Sequence, residues 1–182
     1  MVTTRAITTA DELFEAGDIG RCELIRGQLV MMTPAGGEHA RLTTRVALRV
    51  GNYVEQRRLG LVYAGDPGFI IERDPDTVRA PDVAFIAADR AAEMHTRRFM
   101  SGVPDLAVEV VSPDDRPKEV IAKAKQWIAA GCKLVWVVDP SPKTISVYRP
   151  DGSTQLLYEA DELHGDAVLP GFVINVADIF AF

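Results

Sequence analysis

The chain has 182 residues, 47% of them hydrophobic and 25% charged, with a formal net charge of -6. That length and apolar content suit a single domain over residues 1–182 with a full-sized core. The acidic balance excludes general electrostatic attraction to a polyanion, so any nucleic-acid contact has to come from local basic patches or bound cations.

In chain order, "TTADELFEAG" from Thr8 predicts a short helix, with Thr9 as N-cap and Glu12 as its capping-box partner. "CELIRGQLVMMTPAGG" alternates about an Arg26-Gly27 turn and predicts a hairpin. From His39, Leu42, Val46, Val50, Tyr53 and Val54 recur at helical spacing, which marks an amphipathic helix. Arg41, Arg45 and Arg49 form a cationic stripe on it, meeting either solvent or phosphate. Strand-like segments follow: "LVYAGDPGFIIE", "VRAPDVAFI" and "DLAVEVVSP".

Between the last two, "RAAEMHTRRFMSG" has the composition of an exposed loop or short helix. Its His95, with Arg97 and Arg98, reads as solvated more simply than as a phosphate contact. Asp114 and Asp115 ahead of Pro117 predict a helix start, with capping carboxylates and proline in the first turn. That helix should run from about 117 to 130 and stop at Gly131, burying Val120, Ile121, Ala124, Trp127 and Ile128. "KLVWVVDP" reads as a buried strand, "TISVYRP" and "TQLLYEA" as a meander around Asp151-Gly152, and "LPGFVINVADIF" closes the chain. His164 has no comparable context. A strand, helix, strand passage from Glu109 to Val138 implies a locally parallel pair in a mixed sheet. The fold class is α/β or α+β with a sheet core.

Cys22 and Cys132 are the only cysteines and form neither a CxxC pair nor a secreted disulfide framework. The start lacks the apolar stretch of a signal peptide, and no apolar run approaches bilayer length. A soluble, cytoplasmic protein without a membrane partner is expected.

Asp82 and Glu109 each sit inside an otherwise apolar strand run, where an isolated carboxylate is costly unless its pKa shifts or a partner such as a metal compensates it. Alternation puts Glu109 on the face of Ala107 and Val111, with Leu106, Val108 and Val110 on the other. If the Asp82 strand is the neighbour, both carboxylates converge, and two hard oxygen ligands with a main-chain carbonyl suit Mg²⁺ or Mn²⁺. The competing reading is a pair of solvated acids at strand ends.

"RAPDVAF", "PDLAVEVVSP" and "GCKLVWVVDP" together resemble the PD-(D/E)XK nuclease superfamily, most closely its Uma-two branch of restriction endonuclease-like proteins. The resemblance covers nearly the whole chain, from "CELIRGQLVMMTP" through His39 and "KEVIAKAKQWIAAG" to "LPGFVINVADIF". It implies a mixed β-sheet core flanked by helices and metal-dependent endonuclease activity on nucleic acid, DNA being favoured over RNA. The metal ligands it implies are Asp82, Glu109 and the carbonyl of Val110. The superfamily's lysine, two residues after the glutamate, is Val111 here, a departure from the pattern. The branch commonly carries a lysine on the following helix, which corresponds to Lys123. Helical spacing alone puts Lys123 and Lys125 on opposite edges of the apolar stripe and chooses neither. Glu23 and His39 match further recurring positions, as metal-water contacts or proton carriers; their plainer readings are pairing of Glu23 with Arg26 or Arg21, and helix capping by His39. A homodimer is expected, because one small nuclease domain must usually pair to cut both strands. Two rivals are a nuclease-fold binding module without cleavage, which Val111 supports, and a metal-independent hydrolase using both carboxylates as acid and base.

Overall fold

The computed structural model describes residues 6–94 and 96–181. Helix α1 (Ala10–Glu15) is followed by β1 (Cys22–Ile25), β2 (Gln28–Met31), the long helix α2 (Gly37–Arg57), β3 (Gly60–Ala64), β4 (Phe69–Glu72), β5 (Thr77–Arg79) and β6 (Val83–Ala87). Next come α3 (Ala88–Met94), β7 (Met100–Ser101), β8 (Leu106–Val110), α4 (Pro117–Ala129) and β9 (Leu134–Asp139). The chain ends with β10 (Thr144–Tyr148), β11 (Thr154–Leu157), β12 (Glu162–His164), β13 (Val173–Asn175) and α5 (Val176–Phe180).

A six-stranded sheet in the order β11-β10-β9-β8-β6-β3 carries a core cluster on each face. On one face Leu106, Val108 and Val110 of β8 join Leu42, Val46 and Val50 of α2. On the other, Ala107 joins Ala124 and Trp127 of α4. The period-2 alternation of β8 is thus realised, and each fully buried Leu or Val side chain contributes about 1.5–3 kcal/mol. Strands β8 and β9 run parallel, as the intervening α4 requires, whereas β6 and β8 are antiparallel. A second sheet, β2-β1-β5-β4-β7, brings the β1–β2 hairpin beside β5. The architecture is mixed α+β with helix-flanked sheets, as the sequence implies.

Several local expectations hold and several change. Thr9 and Glu12 form the capping box on α1. The stretch Leu61–Glu72 is not one strand, because Gly65 and Asp66 both adopt positive φ and turn the chain from one sheet into the other. Asp114 and Asp115 do not cap α4: its N-cap is Arg116, without a side-chain cap, and Asp115 instead accepts a hydrogen bond from the Ser112 amide at 2.8 Å. Pro117 supplies the fixed φ of the first turn, and Gly131, at φ 107°, lies just past the helix end as expected. Ile121 is 42% exposed, so the buried stripe of α4 is narrower than predicted. The arginine stripe of α2 is partly structural, since Arg41 and Arg45 donate to the carbonyls of Asp178, Phe180 and Ala181 at the end of α5. There they satisfy orphan carbonyls at the negative end of the helix dipole. Arg98 pairs with Asp11 at 2.9 Å and stacks on Phe14, while His95 lies outside the described residues.

Candidate active site

The antiparallel register that sets Val83 against Val108 puts Asp82, one position before β6, across from Glu109 of β8. Both carboxylates are buried, at 6% and 8% exposure, so the reading of solvated acids at strand ends is replaced. Asp82 Oδ2 accepts the Val110 amide at 2.7 Å, and Asp82 Oδ1 faces His39 Nε2 at 3.1 Å. Glu109 Oε2 faces Lys123 Nζ at 2.9 Å, and Glu109 Oε1 accepts the Trp127 indole N–H at 2.7 Å. Lys123 also reaches Glu23 Oε1 at 3.0 Å and the Ala80 carbonyl at 3.2 Å. Glu23 is held in turn by the Ala80 amide at 3.0 Å and by Arg79 Nη1 at 2.6 Å, and Arg79 is braced by Gln126 at 2.9 Å.

Five separated segments therefore meet in one cleft of about 850 Å³, with Asp82, Glu109, Lys123, Glu23 and His39 all on its wall. The choice between the two lysines is made by tertiary structure: Lys123 is half-buried in the cleft and Lys125 is exposed. Two plainer readings fail on contacts. Glu23 pairs with Arg79 and Lys123 rather than with Arg21 or Arg26. His39 does not cap α2, whose N-cap is Gly36, but presents Nε2 to Asp82. Val111 lies on the cleft wall beside Glu109 with its side chain half-buried. His164 stands outside, next to Glu162.

Sequence reasoning assigned Trp127 to the core stripe only, yet its indole also anchors Glu109. The signal was present, because Trp127 follows Lys123 by four residues and so shares its helix face. No comparable signal announces Arg79 and Gln126, whose roles depend on β1 pairing with β5. Trp127→Phe should cost about 1–3 kcal/mol in a denaturant titration, since it leaves a buried carboxylate oxygen without its donor. Wild-type stability in that variant would mean the hydrogen bond is inconsequential.

The electrostatics follow from burial. Desolvation, helped by Asp82 and Glu23 and opposed by Lys123, pushes the Glu109 carboxyl from 4.5 up to about 7. Burial works against the Lys123 charge, but Glu109 and Glu23 outweigh it and hold its pKa above the ordinary lysine value. Burial likewise opposes ionisation of Glu23, yet Lys123, Arg79 and the Ala80 amide together lower its pKa. The Asp82 hydrogen bond raises the pKa of His39. A carboxyl whose pKa is higher folded than unfolded contributes stability that is full below its unfolded value and lost as pH rises through the folded one. In chelator, the Glu109 contribution should thus decline between pH 4.5 and about 7. Glu23, shifted the other way, loses its contribution only as pH falls below its ordinary range. His39 has the sign of Glu109, so the readout is the difference between parent and Glu109→Gln melting temperatures. That difference should grow in favour of the variant across the Glu109 window; a constant difference would contradict the shift.

The donor set for a cation is a pair of carboxylates: among the described residues no three His, Cys, Asp or Glu side chains cluster to hold a metal. The pair still suits a hard cation completed by a main-chain carbonyl and water. Among the described residues, three buried carboxylates, Glu23, Asp82 and Glu109, are contacted by only two permanently charged side chains within 3.0 Å, Lys123 and Arg79. The raised pKa of Glu109 comes first from its burial, with the neighbouring Asp82 and Glu23 charges adding to it.

A helix-flanked mixed sheet with carboxylates meeting across the β6–β8 pair is the architecture of a restriction endonuclease-like fold. A crystal structure described as "a putative nuclease belonging to DUF820 from Anabaena variabilis ATCC 29413" has the same fold, with TM-score 0.81 and 18% identity over 94% of this chain and 97% of that one. The chain belongs to the Uma2 family, described as "Putative restriction endonuclease", whose model matches residues 10–177. No curated protein matches it. Among the described residues, no helix is long and apolar enough to cross a membrane.

Proposed function

We propose that the chain acts as a single-domain, metal-dependent endonuclease that hydrolyses phosphodiester bonds in nucleic acid, DNA in the first instance. Asp82, Glu109 and the Val110 carbonyl would hold Mg²⁺ or Mn²⁺. A cation bound there supplies a more acidic water and a polarised phosphate. Lys123 offsets the negative charge that develops on the phosphate in the transition state. Glu23 and Glu109 hold its ammonium in the cleft, and Arg79 and the Ala80 amide fix Glu23. His39 and the Val110 amide orient Asp82, while Trp127 orients Glu109.

The observation that carries this reading is the 2.9 Å contact of Lys123 with Glu109. It supplies from α4 the ammonium that Val111, just past β8, cannot supply. The deciding experiment incubates plasmid and labelled oligonucleotides with the protein in Mn²⁺, Mg²⁺ or chelator. Cleavage with either ion and none in chelator is expected. No cleavage with any divalent ion would return the chain to the class of nuclease-fold binding modules. A cytoplasmic homodimer completes the proposal, two sites being needed for two strands. Sedimentation as monomer alone at micromolar concentration would contradict the dimer.

A further inference from the structure

Arg21, immediately before β1, belongs to none of the contacts described so far, yet it lies on the wall of the active-site cleft. Its Nε and Nη2 each donate to a different oxygen of Asp66 at 2.7 Å, a bidentate pair, and its Nη1 donates to the Thr33 carbonyl at 3.3 Å. Asp66 sits at positive φ in the turn between β3 and β4, so the pair ties the hairpin of one sheet to the turn leaving the other. Nη2 also comes to 3.9 Å from Asp82 Oδ1, too far for a hydrogen bond.

Two features exceed what a brace between sheets requires. A guanidinium has five N–H donors, and among the described residues Arg21 commits three, keeping one hydrogen on Nη1 and one on Nη2. The side chain is 29% exposed and lies on the cleft wall beside Asp82, so the guanidinium borders the space a ligand would occupy. Arg21 also lines a second cavity, of about 720 Å³, between α2 and β3. Among the described residues only Arg21, His39 and Asp82 line both spaces, so they mark the junction that a strand running between the two would cross. Asp66 cancels the net charge of Arg21, which lets a fixed guanidinium stand beside a cation-binding carboxylate without strong repulsion. The remaining fork still matches phosphate oxygens in a way that an ammonium does not.

We propose that Arg21 grips a backbone phosphate of a nucleic-acid strand running between the two cavities, with Asp66 as the positioning residue that sets the guanidinium. This rests on the nuclease reading of the adjoining carboxylate site. The test is fluorescence anisotropy with a labelled oligonucleotide in Ca²⁺ across a salt titration, for the parent, Arg21→Ala, Arg21→Lys, Asp66→Asn and the exposed control Lys125→Ala. Arg21→Ala should weaken binding about tenfold and reduce the slope of log affinity against log salt by about 1. Its Mn²⁺ affinity by calorimetry should stay at the parent value. Arg21→Lys should keep the slope but recover only part of the affinity, since it keeps the charge and loses the fork; it also decides the matter if the alanine variant is unstable. Asp66→Asn removes the cancelling charge and frees the fork, so its slope should not fall below the parent's, while its affinity at high salt, where charge is screened, should drop.

Parental slope and affinity in Arg21→Ala would overturn the proposal, leaving Arg21 a brace. Failure of the parent to bind any oligonucleotide would overturn both this proposal and the nuclease reading. Binding without cleavage would overturn the cleavage reading alone, because the salt slope still decides Arg21.

Discussion

Lys123→Ala should lower turnover by roughly a hundredfold or more, the scale seen when one transition-state charge stabiliser is removed. Mn²⁺ binding by calorimetry should persist at least at parental affinity, because Lys123 is not a ligand and its ammonium repels a cation at the neighbouring carboxylate. The substitution also leaves Glu109 and Glu23 facing each other without the ammonium at 2.9 and 3.0 Å, so the fold should weaken. Breaking a buried ion pair by removing one partner costs about 3–5 kcal/mol. The kinetic comparison therefore has to be made below the melting temperature of the variant. Restoring a lysine from the strand separates the two effects: Val111→Lys in the Lys123→Ala background returns an ammonium to the face of Glu109 and should recover part of the turnover. Lys125→Ala should leave turnover unchanged, its side chain being exposed on the far edge of α4. Equal damage from Lys125→Ala and Lys123→Ala would refute the role of Lys123, as would full activity in Lys123→Ala.

Asp82→Asn and Glu109→Gln should each abolish divalent-ion binding and cleavage while leaving the fold intact. Each amide keeps one oxygen for the Val110 or Trp127 N–H at 2.7 Å; its NH2 then faces His39 or Lys123, and in Glu109→Gln the ammonium keeps Glu23 as its partner at 3.0 Å. Removing one of several crowded negative charges relieves repulsion in the metal-free protein, so neither variant should be less stable than the parent in chelator. Calorimetry with Mn²⁺ and thermal melts in chelator measure the two halves. Parental Mn²⁺ affinity in either variant would show that the ion binds elsewhere.

The site was legible in parts. Asp82 and Glu109 stood out because a charge inside an apolar strand run is anomalous on local grounds, and alternation gave Glu109 its face. His39 and Glu23 were marked only by family resemblance, and nothing local told Glu23 that its partners would be Arg79 and Lys123. The capping carboxylates of α4 were misread because Asp114 and Asp115 fit the composition of a helix start, whereas Asp115 closes a local turn onto Ser112 and Arg116 becomes the N-cap.

By itself, the sequence determined what short-range periodicity encodes: the alternating faces of β8, the amphipathic α2, the helix between two parallel strands, and the acid within each run. Tertiary structure placed Lys123 rather than Lys125 against buried carboxylates, because by periodicity the two are equivalent edges of a helix until the sheet beneath gives one of them Glu109 and Glu23. It also decided the partners of Glu23 and Arg21, which lie 56 and 45 positions away in Arg79 and Asp66. Such contacts depend on the register between distant strands and on where the β3–β4 turn lands, and no local pattern along the chain records either.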